Sequence, residues 1–381
     1  MTRIGAQVGG VNLAQGLPDF DPPRELVRAL KRVAGQSEFH QYAFTWGSPE
    51  LRQDLAAKYA RVNGIKVDAD TGVTITCGVS EALCASVLAL TEPGDEVLIL
   101  EPWYENYLPA CVIAGVTPRF VPLVEPGFHL DAAALEKAVT RKTRLLILNT
   151  PGNPTGRVFT REELADIARL CQRHGLIAVV DEIYERLTYD GRPHVSLGSL
   201  PGMEDRTVTL SGLGKTYAVT GWRIGWAVAA PELTLLIRKV HDYLTLCAPA
   251  PLQEAGRAAL ALPESFYVTQ RKKYAVRREL LLSALAQTGL AFTPPEGAYY
   301  VMVDARALGW RDDYALLDHL IHKVGVIAVP GTSFYTRRGG GKTSVRLNFA
   351  KREETLREAA RRLTSVDLRN PALSRSRAAR R

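Results

Sequence analysis

The chain has 381 residues, 46% hydrophobic and 23% charged, ordinary usage for a globular protein, which excludes global disorder and leaves room for roughly two to three domains. Its formal net charge is +8, but residues 369–381 hold five arginines and no acid, so the other 368 residues carry 8 − 5 = +3; the excess marks a basic, disordered tail and not a nucleic-acid-binding face. Five cysteines without CxxC spacing, no apolar leader and no run of membrane-spanning length point to free thiols in the reducing cytoplasm, with no membrane partner.

In chain order, residues 73–76 read as a strand, 81–90 as a helix closed by Pro93 and Gly94, and 96–100 as a second strand. Strands at 143–148 and 176–180 flank a helix at 161–174, and 207–210 and 224–228 add two more. Strands this apolar on both faces belong inside a mostly parallel sheet covered by helices. Residues 41–284 are therefore expected to form one large α/β domain. Beyond it, strands at 297–303, 326–329 and 344–349 alternate with helices. They predict a smaller α+β domain from 285–368, joined by residues 1–40, with a flexible glycine-rich loop at 337–341.

Ligands of open α/β sheets collect beyond the carboxyl ends of the strands. The first strand is followed by Cys77, Gly78, Val79 and Ser80, a turn whose glycine lets backbone amides at a helix start approach a phosphate. The second is followed by Trp103 and Tyr104, either of which offers a face to a flat ring. The third runs into a turn of two prolines and two glycines that aims Asn153 inward. The fourth ends on Asp181, with Tyr184 after it; an acid directly behind five apolar residues is costly unless it caps, pairs or binds something. The fifth ends in Ser211, Gly212, Leu213, Gly214 and Lys215, with Arg223 eight residues on. Each alone also describes an ordinary turn, but five at successive strand ends describe one site.

Gly214-Lys215-Thr216 and Gly341-Lys342-Thr343 imitate the end of a phosphate-binding P-loop. That motif needs a glycine five residues before its second one. Those positions are Thr209 and Thr336, which sets a nucleotide-dependent enzyme aside.

Together the segments resemble the class I/II aminotransferases, fold type I among pyridoxal-phosphate enzymes. The resemblance runs from Asn12–Phe20 to Val345–Phe349 and is most specific over Ser211–Gly225. Asp181–Gly191 and Pro201–Met203 resemble the kynurenine, glutamine and methionine branch. It implies pyridoxal 5'-phosphate as cofactor and amino-acid and 2-oxo-acid substrates. It makes Lys215 the Schiff-base lysine and general acid/base, and Asp181 the partner of the pyridine nitrogen. Asn153 and Tyr184 become the partners of the ring's phenolic oxygen, and Tyr104 the stacked aromatic. Gly78, Val79, Ser80, Ser211 and Arg223 become the phosphate site, and Arg346, with Gly16 and Asn153, the grip on the substrate α-carboxylate. Tyr42 corresponds to a tyrosine given to the neighbouring subunit's phosphate site, which implies a homodimer.

Two departures stand out. Many relatives have a serine three residues before the lysine, where this chain has Gly212; its serine is Ser211, so the turn shifts or backbone amides take over. No second arginine matches one that would bind a dicarboxylate side chain, which favours neutral, aromatic or sulfur-containing amino acids. The same residues would also suit a β-lyase, cyclase or oxidase acting through the same Cα carbanion. The seven histidines show no metal-ligand spacing.

Overall fold

Seven strands form the larger sheet of the computed structural model, which describes residues 2–371; most of the expected basic tail, 372–381, lies outside the described residues. Thirteen strands are numbered in chain order. β1 is Val11–Asn12, β2 Val73–Thr76, β3 Glu96–Glu101, β4 Thr117–Pro122, β5 Thr143–Asn149, β6 Ile177–Asp181, β7 Thr207–Gly212 and β8 Gly225–Val228; β9 Ala291–Phe292, β10 Tyr300–Asp304, β11 Val326–Ile327, β12 Val329–Pro330 and β13 Ser344–Asn348 follow.

The large sheet runs β2-β8-β7-β6-β5-β3-β4. Only β8 runs against the rest. Because β8 is reversed, its first residues lie where the other strands end: Gly225 is in register with both Gly212 and Thr76. Asn149 at the end of β5 is likewise in register with Asp181 at the end of β6. The topology thus delivers the residues after β2, β5, β6 and β7, and those before β8, to one edge.

Alternate residues of the central strands feed separate cores, as a two-residue side-chain period requires. Val97, Ile99, Leu145, Ile147 and Val179 pack beneath helices Val79–Leu90, Tyr107–Ala114 and Pro231–Leu244. Leu98, Leu100, Leu146, Leu148 and Val180 pack on the other face, with helix Arg161–His174 and the small sheet. That helix forms at its expected position because its ends are written into the chain: Thr160 and Glu163 form a capping box, and Gly175 closes it in the left-handed conformation.

The small sheet is antiparallel, ordered β12-β13-β10-β9, while β1 and β11 pair parallel beside it. The single strand expected at 326–329 is two: residues 326 and 327 pair with β1, and after Ala328 the chain turns to pair with β13. β4, absent from the sequence reading, carries Pro118 and Pro122. It is tolerated because it sits at the sheet edge, where lost backbone donors go unused.

Candidate active site

The sheet edge opens into a cleft of about 810 Å³ lined by Gly78, Val79, Ser80, Tyr104, Asn153, Asp181, Tyr184, Lys215 and Arg223, among others. Nine of the residues singled out from sequence therefore meet in one place. Their chemistry is ordered along it.

At one end helix Val79–Leu90 begins, with Gly78 before it at φ 81°. Two demands fall on this glycine. The positive φ is one, and the other is space: a Cβ there would stand 2.3 Å from Arg223 Nη2. Gly225 serves the same approach, since its Cβ would lie 2.5 Å from the Gly78 carbonyl carbon. The Arg223 guanidinium donates to the carbonyls of Thr220 and Cys77, at 3.1 and 3.5 Å, and has no carboxylate partner among the described residues. A helix start, free backbone amides and an unneutralised guanidinium make a site for a dianion.

In the middle lies Asp181, only 4% exposed. Burial pushes its pKa up to about 6, against the Ile183 amide, the Tyr107 hydroxyl and the Lys215 charge, which pull it down. Tyr107 donates to Oδ2 at 3.0 Å and Ile183 N–H to Oδ1 at 3.1 Å. A buried carboxylate held in place without a salt-bridge partner among the described residues is ready for a ligand cation. Tyr104 lines the cleft. Trp103, the alternative stacking residue, is instead buried against Phe120, with ring centroids 5.5 Å apart.

Lys215 lies in the short helix Leu213–Thr216 and donates from Nζ to the Gly16 carbonyl at 3.3 Å. Beyond it, Arg346 on β13 is 5% exposed. Its Nη1 donates to Asn153 Oδ1 at 2.7 Å, its Nη2 to the Ala14 carbonyl at 2.9 Å, and its Nε has no hydrogen-bond partner among the described residues. Among the described residues no carboxylate neutralises it, so a ligand anion is what this buried charge lacks.

Two expected residues stand apart. Tyr42 is 82% exposed and does not line the cleft of its own chain. Ser211 requires a correction as a phosphate ligand. Strand alternation turns its side chain from the cleft, and its Oγ lies 3.5 Å from Glu185 Oε1. It joins a buried network in which Lys58 Nζ meets Glu185 at 2.5 Å and His194 Nε2 meets Glu182 at 3.0 Å. Glu182, Glu185 and His194 bring ligand atoms within 4.8 Å of one another, but Lys58 already supplies a cation there. Thr220 lines the cleft where Ser211 does not.

The sequence reading also missed Asn106, Tyr107, Asn149 and Tyr300, all of which line the cleft. Asn149 had a signal: it ends a strand inside the turn already singled out, and it donates to the Asp181 carbonyl at 2.8 Å. Tyr107 and Tyr300 had none, being tyrosines near other aromatics with no motif to single them out.

A lysine between a dianion site, a buried carboxylate and a buried guanidinium defines a class of phosphate-bearing, ring-nitrogen cofactor enzymes, and family comparison agrees. The chain belongs to the family of class I and II aminotransferases, which it matches over residues 8–363. It is 40% identical to the probable N-succinyldiaminopimelate aminotransferase DapC of Mycobacterium tuberculosis, over 98% of this chain and 96% of that one. The solved N-succinyldiaminopimelate aminotransferase of that organism superposes with a TM-score of 0.93 at 39% identity, covering 96% of this chain and 95% of the other. The methionine aminotransferase of Escherichia coli is 36% identical over 96% of this chain and 94% of its own length. Kynurenine–oxoglutarate transaminase 1 of Homo sapiens is 33% identical over 93% and 92%.

The fold is fold type I, and the enzyme is a pyridoxal-phosphate-dependent aminotransferase. The cleft fits the cofactor: the Gly78–Arg223 cradle suits its phosphate, and Asp181 suits a protonated ring nitrogen. When bound, pyridoxal phosphate supplies an electron sink for the substrate Cα.

Proposed function

We propose that this aminotransferase takes the amino group of a neutral, aromatic or sulfur-containing L-amino acid and passes it to a 2-oxo acid, acting in the cytoplasm as a homodimer with shared active sites. The observation that carries the substrate class is the cation count. Among the described residues of the cleft and its rim, Arg346 is the guanidinium without an anion on the substrate side, and Arg223 is engaged at the phosphate end. One free guanidinium holds one carboxylate, the α-carboxylate common to every amino acid.

In this reading Lys215 holds the cofactor and moves a proton to and from the substrate Cα. Asp181 keeps the ring nitrogen protonated. Asn153 and Tyr184 donate to the phenolic oxygen, and Tyr104 stacks on the ring. Gly78, Val79, Ser80 and Arg223 hold the phosphate; Gly16, Asn153 and Arg346 orient the α-carboxylate. Tyr42, exposed on its own chain together with Phe44, reaches the partner copy's phosphate. Residues 41–284 form the cofactor domain, and 1–40 with 285–368 the small domain that brings Arg346 to it.

The test is a panel of amino donors mixed with cofactor-loaded enzyme, followed by the bound cofactor's visible absorption. Methionine, phenylalanine and kynurenine should bleach it faster than aspartate, glutamate or N-succinyldiaminopimelate. Preference for a donor with a second carboxylate would overturn the substrate class. Release of ammonia or pyruvate without bleaching would replace transamination by lyase chemistry.

A further inference from the structure

We infer that Tyr300 is a positioning residue whose hydroxyl donates to the Tyr184 hydroxyl and so strengthens the hydrogen bond that Tyr184 gives the cofactor's phenolic oxygen. The inference rests on the role proposed above for Tyr184.

The two hydroxyls are 3.1 Å apart in a buried cluster. Rings Tyr184 and Tyr300 meet edge to face with centroids 5.9 Å apart, and Tyr299 packs on both, at 5.1 Å and 4.8 Å. A phenol has one proton to give and lone pairs to accept with. Tyr299 donates to the Gly16 carbonyl at 3.0 Å, so its proton is committed elsewhere. For Tyr300 the only hydrogen-bond partner among the described residues is the Tyr184 oxygen. Either hydroxyl could donate across this pair; the role proposed for Tyr184 sets the polarity, because a Tyr184 proton given to the cofactor leaves Tyr300 to donate and Tyr184 to accept.

The surroundings hold Tyr300 to this task. The Arg346 guanidinium lies 4.4 Å over its ring. A cation on the ring face is attracted to the ring quadrupole and fixes the orientation of the phenol. Room for the hydroxyl comes from Gly16, where a Cβ would stand 1.9 Å from Tyr300 Oη and 2.9 Å from Cζ. Donation into Tyr184 polarises the Tyr184 O–H, and linked hydrogen bonds strengthen one another by roughly 10–30% each.

The consequence is spectroscopic. A hydrogen bond to the phenolic oxygen stabilises negative charge there and lowers the pH at which the bound cofactor's visible band titrates. Without the Tyr300 hydroxyl that midpoint should rise.

The experiment records the visible band against pH for holoenzyme of wild type, Tyr300→Phe, Gly16→Ala, the double variant and Tyr184→Phe. We expect the midpoint of Tyr184→Phe to rise most, and that of Tyr300→Phe to rise by a smaller amount, about 0.3–0.5 pH unit. Gly16→Ala, which displaces the Tyr300 hydroxyl, should move it in the same direction, and the double variant should add nothing to Tyr300→Phe. A Tyr300→Phe midpoint equal to wild type beside a shifted Tyr184→Phe would overturn this inference alone. An unshifted Tyr184→Phe would overturn the Tyr184 assignment and this inference with it.

Discussion

Arg346 on the small sheet and Asn153 on the turn after β5 of the large sheet are joined by a 2.7 Å hydrogen bond from Nη1 to Oδ1. The contact ties the two sheets together at the point where a substrate carboxylate would bind. It also uses only one edge of the guanidinium. A lysine at 346 would keep the charge and lose the planar fork. Arg346→Lys should raise KM for the amino acid about 10- to 100-fold, the loss of about 1.5–3 kcal/mol for a hydrogen bond to a charged group, with cofactor affinity unchanged. Steady-state kinetics and cofactor titration check it; an unchanged KM would remove Arg346 from substrate binding.

Asp181 sets function against stability. Burial raises its pKa to about 6 in the folded protein, above the unfolded value near 3.8. Its contribution to stability is therefore complete below about pH 3.8 and lost as pH rises through about 6, so at neutral pH the buried charge destabilises the cofactor-free enzyme. Cofactor-free Asp181→Asn should be more stable than wild type at pH 7, on the order of 1–3 kcal/mol, and the holoenzyme should lose at least about 100-fold in kcat. Thermal unfolding from pH 4 to 8 is the measurement. A cofactor-free variant less stable than wild type at pH 7 contradicts the assignment.

His241 clamps the helix that starts the phosphate cradle. Its Nδ1 is 2.6 Å from Glu81 Oε1 and its Nε2 is 2.7 Å from the Thr45 carbonyl. Both partners accept only, so both ring nitrogens carry protons. Burial lowers the His241 pKa, but the Glu81 hydrogen bond and charge outweigh it and the net direction is up. Burial likewise raises Glu81, and its bonds from His241 and Thr245 outweigh that, taking it down. The His241 contribution is thus full below about pH 6.5 and lost as pH climbs through its raised value. The Glu81 contribution is present above about pH 4.5 and lost on acidification. His241→Ala should cost about 3 kcal/mol by leaving Glu81 unpaired and flatten the alkaline loss of stability. Identical alkaline slopes for variant and wild type would show that His241 does not set it.

The phosphate end gives a sharp contrast. Ser211 faces Glu185, whereas Thr220 and Arg223 line the cleft. Ser211→Ala should leave cofactor affinity within about 3-fold of wild type, and Arg223→Met should weaken it about 10- to 100-fold, as loss of a charge-assisted bond does. Fluorescence titration of the cofactor-free enzyme measures both, and a larger loss at Ser211 would restore it to the phosphate site.

Residues at strand ends were legible because topology, not packing detail, places them: Asp181, Lys215 and Asn153 each follow a strand whose apolar run is plain in the chain. Ser211 failed for the opposite reason. One residue of shift in a strand reverses the face, and the glycine at 212 hid which face the serine takes. Tyr300 was invisible because Tyr299 beside it has the same side chain, and only the tertiary neighbours Gly16 and Tyr184 show which hydroxyl enters the cleft. The partner change at Ala328 and the proline-bearing strand β4 escaped because they are set by long-range pairing.

Lys215 is the residue proposed to carry the cofactor, and every other role in the cleft is placed relative to it. Borohydride reduction of the holoenzyme, followed by peptide mass spectrometry, should find the reduced cofactor adduct on Lys215 in wild type. The Lys215→Ala variant should show no adduct and no turnover while still binding the cofactor reversibly. An adduct on a different lysine, or wild-type turnover by Lys215→Ala, would contradict it.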